Sequence, residues 1–169
     1  MEDENVLELL EEFINSNKLV LKYIIPSISD VNRLIFYWNK VSSEPELKKI
    51  TEQRIEEVLK EISKIEELIC YWKESCPNSE PRKIIEQRIK EVSKEISDIN
   101  KLIFYLEKIL LDDEPGKIIE QRIREIIDSV SIPLPSWFIS IIKKEAKIPF
   151  RFKIIIYQKS EELLLQLEK

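Results

Sequence analysis

The chain has 169 residues, 43% apolar and 35% charged, with a formal net charge of −5. It holds one glycine and no histidine, which excludes glycine-rich phosphate loops, dinucleotide fingerprints, and histidine as base, triad member or metal ligand. The acidic balance disfavours general binding to duplex nucleic acid, and so much balanced charge on periodic apolar positions suits long helices with solvated outer faces.

The start, MEDEN, is acidic and fits no secretory signal. No apolar run approaches the ~18–20 residues that a bilayer span needs. A soluble, cytoplasmic protein without membrane contact is expected. The abundance of Ile, Lys and Glu is a composition met in thermophiles.

Residues 1–17 read as an N-terminal capping helix. Val6, Leu9, Leu10, Phe13 and Ile14 share one face, and Asn15-Ser16-Asn17 ends it.

Residues 18–130 read as a helical repeat, with units at about 18–44, 45–79, 80–113 and 114–130. EQRI stands at 52–55, 86–89 and 120–123, a period of 34 residues. The same offset aligns Leu34-Ile35-Phe36-Tyr37-Trp38 with Leu68-Ile69-Cys70-Tyr71-Trp72 and Leu102-Ile103-Phe104-Tyr105-Leu106. Counting Ile55 as heptad position a places Val58, Ile62, Ile65, Ile69 and Trp72 in one coiled-coil-like seam. Glu52, Glu86 and Glu120 then flank the seam opposite Arg54, Arg88 and Arg122, where charges pair between helices. Within helices, Glu86–Lys90 and Glu120–Arg124 have pairing spacing.

Pro45, Pro81 and Pro115 mark helix starts, with Ser43, Ser79 and Asp113 as candidate caps. No Gly or Pro interrupts 47–75 or 82–111. Each is therefore expected to be one helix of about 30 residues, about 45 Å long. A tetratricopeptide unit has the same period but two helices, and the lack of a breaker over 91–98 argues against it. Pro26 is the exception, where a kink or helix restart is expected. The predicted fold is all-α: an antiparallel bundle of long helices with a distinct C-terminal cap.

Residues 131–169 carry no repeat. Pro133, Pro135 and Pro149 punctuate them, and Ser136 can cap a helix over 137–146. Phe150–Tyr157 is apolar enough for either a buried helix or one β-strand, and 160–169 should be helical. Leu134-Pro135-Ser136-Trp137-Phe138, followed by Ile141-Ile142, resembles the LPxW-apolar stretch in the small domain of some GINS replication-complex subunits, which also carry long helices. In that domain β-strands precede the motif, whereas a repeat helix precedes it here, and no residue is carried over.

No catalytic, cofactor or metal site emerges. The free thiols Cys70 and Cys76 lack a histidine partner, and Cys70 replaces Phe36 and Phe104 at an expected packing position. The expected function is a non-catalytic scaffold or adaptor that binds a protein partner or self-associates through its tail. Its candidate contact residues are Tyr37, Tyr71, Tyr105, Trp137, Phe138, Phe150 and Phe152. A basic patch of Lys143, Lys144, Lys147, Arg151 and Lys153 supports an alternative, an accessory subunit of a nucleic-acid-processing complex. A small enzyme with a pocket near the tail is the other.

Overall fold

A computed structural model describes residues 18–41, 43–109, 113–143 and 150–167. The expected N-terminal capping helix, Lys144 and Lys147 lie outside them. The described residues are helical and contain no strand. None of their helices is long and apolar enough to cross a membrane.

In chain order the helices are α1 (Lys18–Ile24), a 3-10 turn (Ile25–Ser27), α2 (Val31–Lys40), α3 (Pro45–Lys60), α4 (Ile65–Glu74) and α5 (Glu80–Glu95). They continue with α6 (Ile99–Glu107), α7 (Glu114–Asp128), α8 (Ser136–Lys143) and α9 (Phe150–Leu167). The chain divides into two compact units, Met1–Val92 and Ser93–Lys169. In the first, α2 packs on α3 and against α4. In the second, α6 and α9 both pack on α7.

All-α is correct, but the expected continuous helices are not what forms. Residues 61–64 separate α3 from α4, and 96–98 separate α5 from α6. Two helices therefore stand where one was expected. Pro26 marks the same elbow in the stretch before it. The short helices α2, α4 and α6 begin at Val31, Ile65 and Ile99, each one period after the last. The 150–157 stretch lies within α9, so the strand option is overturned. An isolated strand would leave its backbone donors unpaired, whereas an 18-residue helix pairs them internally.

Two interactions end the long helices without Gly or Pro. Asp30 and Asp98 cap the following short helices: the Asp30 carboxylate accepts from the Asn32 and Arg33 amides at 2.9 and 3.2 Å, and Asp98 from Asn100 at 3.0 Å. The second is longer in range. Arg88 Nε donates to the Leu59 and Ile62 carbonyls at 3.0 and 3.3 Å, and its Nη2 to Lys60 and Ile62 at 2.9 and 3.1 Å. A guanidinium thus takes up carbonyls at the end of α3. Arg54 repeats the contact on Ile28 at 2.9 Å, and Arg122 on Lys94 and Ile96 at 3.0 and 3.5 Å. At the elbow before α4 the cap position is Lys64, whose side chain makes no cap bond, so Arg88 holds it without that help.

These arginines do not pair across the seam with the EQRI glutamates, as expected from the heptads. Arg54, Arg88 and Arg122 meet Glu57, Glu91 and Glu125 three residues on, at 2.9, 3.3 and 3.4 Å. Among the candidate caps, Ser79 Oγ accepts from the Arg82 amide at 3.4 Å, while Asp113 makes no side-chain cap bond.

The core follows the elbows. Long helices bury Leu47, Thr51, Ile55 and Leu59, while Val58 and Ile62 of the expected seam are only half-buried. Short helices bury Ile65, Leu68, Ile69 and Trp72, or Ile99, Leu102, Ile103 and Leu106, one face at i, i+3, i+4 and i+7.

Replacing Arg88 with Met should cost about 1.5–3 kcal/mol in urea unfolding, the range for hydrogen bonds to a charged group. Arg122→Met should cost less, because Arg122 makes two such bonds and its buried Nε has no hydrogen-bond partner. Equal losses at the two sites, or none, would contradict the assignment.

Candidate partner-binding surface

The short helices carry one more recurring element, the residue pairs 36–37, 70–71 and 104–105. Tyr37, Tyr71 and Tyr105 are all half-buried. Their neighbours sit further out: Phe36 is half-buried, and Cys70 and Phe104 are exposed. Phe36 and Tyr37 meet edge-on with centroids 5.8 Å apart, and Phe104 and Tyr105 lie 6.0 Å apart. Lys40 and Lys108, one turn later, place their ammonium groups 5.7 and 4.0 Å from the Phe36 and Phe104 centroids. Because α2 packs against α4, the Phe36–Tyr37 and Cys70–Tyr71 pairs stand on neighbouring helices at matching positions.

Cys70 is exposed, which corrects its expected packing role: the helix turns this position away from the face that buries Leu68, Ile69 and Trp72. Cys76 is also exposed and free, with its sulfur 3.5 Å from Asn39 Oδ1.

Tyr71 differs from its two counterparts. Its hydroxyl donates to Glu67 Oε1 at 3.0 Å. Arg33 and Lys101 occupy the position equivalent to Glu67 in the other short helices. Burial, followed by the Glu67 hydrogen bond and charge, pushes the Tyr71 phenol up to about 12.

The recurring tryptophans were not singled out as binding or clasp residues, although they have a defined role. Trp38 Nε1 donates to Glu52 Oε1 at 2.7 Å, and Trp72 Nε1 to Glu86 Oε1 at 2.7 Å. A cation covers each ring: Lys48 lies 4.3 Å from Trp38, and Arg82 lies 3.7 Å from Trp72. Arg82 and Lys48 are one period apart. In the next unit Leu106 replaces the tryptophan, and Gly116 takes the cation's position. There Glu120 meets Arg124 at 2.7 Å, the expected pairing within the helix. The joint change of Trp, cation and acceptor partner is a signal that the repeat alignment contains.

Between α3 and α5 runs a groove of about 300 Å³, lined by side chains of both signs. Its charges neutralise one another in short ion pairs, Lys60–Glu56 at 3.4 Å, Lys83–Glu80 at 3.0 Å and Arg88–Glu91 at 3.3 Å. The hydrogen bond from Gln87 lowers the Glu91 carboxyl, and Arg88 adds to this. Among the described residues no group of His, Cys, Asp and Glu could hold a metal ion.

No known family model, curated protein or solved structure matches the chain. The residues themselves therefore carry the functional reading.

In the tail, Trp137 is half-buried, with Phe138 edge-on to it at 5.6 Å. Phe138 and Phe152 are fully buried, so both belong to the core of the second unit and not to an exposed contact patch. Phe150 is exposed. Of the basic patch, Lys153 is half-buried and Lys143 ends α8.

Spectrophotometric titration should show a tyrosine step near pH 12 that Tyr71→Phe abolishes. The raised folded value means that the Tyr71 contribution to stability is complete below pH 10 and is lost as pH rises towards 12. A high-pH step that survives Tyr71→Phe, or none at all, would contradict the Glu67 contact.

Proposed function

We propose that this chain is a non-catalytic scaffold or adaptor in which successive helix pairs present the short-helix aromatic positions to a protein partner. One observation carries the reading. Trp38, Trp72, Glu52 and Glu86 of the repeat, with Arg54, Arg88 and Arg122, are engaged in contacts between helices. Phe36, Cys70 and Phe104, the outer members of the recurring pairs, take no part in those contacts. Tyrosine and phenylalanine suit such a surface because they give large contact area at low conformational cost. Repetition at one helical position offers a partner several equivalent anchors, and the non-repeating tail adds self-association.

Affinity capture with Tyr37→Ser and Phe104→Ser, each checked for unchanged helical content, tests the proposal. Wild type should retain a defined protein in stoichiometric amount, and each variant should lower its affinity by about tenfold, the effect of losing one interfacial anchor. Retention unchanged by either variant would contradict the proposal. So would nucleic acid retained at low salt and lost on replacing Lys143, Lys144, Lys147, Arg151 and Lys153 together.

A further inference from the structure

The carbonyls at an elbow have two competing sets of donors. In the bent chain the Lys94 and Ile96 carbonyls accept from Arg122 Nη2 at 3.0 and 3.5 Å, and the Asn100 amide donates to the Asp98 carboxylate at 3.0 Å. In a straight helix the same two carbonyls would accept from the Asp98 and Asn100 amides, four residues on. The two sets exclude one another, so the strength of the arginine's hold decides which forms. Local sequence does not forbid the straight form. Residues 82–111 hold no Gly or Pro, and Ile89, Val92, Ile96, Ile99, Ile103 and Leu106 keep one seam across 96–98.

Three replacements weaken the hold at this elbow. Before α4, Arg88 makes four bonds to carbonyls through Nε and Nη2. Arg122 makes two, and its buried Nε has no hydrogen-bond partner. Ser93 is buried where Leu59 and Ile25, one and two periods earlier, bury aliphatic side chains. A hydroxymethyl group there removes less apolar surface from water. Beyond the elbow, Leu106 and Gly116 stand where Trp72 and Arg82 tie α4 to Glu86 of α5. The elbow before α2 differs again, because it carries Pro26, which the interior of a straight helix does not accommodate.

We propose that the elbow at 96–98 is a hinge. Arg122 releases the Lys94 and Ile96 carbonyls, and α5 runs on through Ile96, Ser97 and Asp98 into α6 as one helix. The bent form is the major state, and the other two elbows stay shut. Straightening redirects α6 and with it the exposed Phe104, so the hinge sets how that ring is presented. The hinge stands whether or not Phe104 binds a partner.

Carbon-13 saturation-transfer NMR of the full chain tests it, with circular dichroism as the folding check. Wild type should show a minor state, about 1% populated, whose shifts at 96–98 are helical, and no such state at 62–64. Arg122→Met should raise its population about tenfold, the effect of losing hydrogen bonds to a charged group. Ser93→Leu, which restores the residue of the preceding unit, should lower it. Ser97→Pro, at an exposed elbow position outside any helix, should abolish it and leave the major shifts of α5 and α6 in place. A wild-type chain with no minor state at 96–98, or with one whose shifts are those of unfolded chain, would overturn the inference. So would a helical minor state that survives Ser97→Pro, or one equally populated at 62–64. Each of these is read from backbone shifts, so none bears on partner capture by Tyr37 or Phe104.

Discussion

The guanidinium of Arg88 on the last carbonyls of α3 is the contact on which the helix-pair pattern depends. A helix end leaves carbonyls without partners, and a run such as Glu61-Ile62-Ser63-Lys64 has no intrinsic reason to stop there. A donor fork from the next unit supplies those partners, with four bonds onto three carbonyls. Once α3 ends, Ile65 begins a new helix whose apolar face no longer has to continue the seam of α3. The EQRI motif then reads as a set of separate tasks. Its glutamate receives an indole at the first two occurrences, its arginine holds the preceding elbow, its isoleucine is buried, and its glutamine is exposed.

The tryptophan contacts add a second tie. An indole that donates to a carboxylate and lies beneath a cation is fixed on its edge and its face. The third unit shows what happens without it. Leu106 has no donor, Gly116 has no cation, and the glutamate turns to Arg124 on its own helix. Ile119, Ile123, Ile126 and Ile127 are buried in that helix, and α9 packs on it. Apolar packing thus predominates where the polar tie is missing.

Much of this was legible from residues alone. Helical character, the period, the start of the long helices at Pro45 and one residue before Pro81 and Pro115, and the restart after Pro26 all follow from local rules. The elbows at 61–64 and 96–98 were not legible, because what makes them is an arginine 26 residues later and not a breaker in the chain. The heptad count spanned them because Ile62 and Ile65 keep its spacing by coincidence. Phe138 and Phe152 looked like surface anchors because a single apolar stretch does not reveal which side packs inward. The short-helix tyrosines were visible as a repeat, but their half-buried state depends on neighbouring helices.

The central claim is that each unit is a pair of helices held at its elbow by the next unit's arginine. Backbone carbon chemical shifts of the intact protein test it most directly. The account predicts helical shifts over Pro45–Lys60 and Ile65–Glu74, with non-helical values at 62–64, and the same interruption at 96–98. Uninterrupted helical shifts from 47 to 75 and from 82 through 107 would contradict it and restore the single long helix.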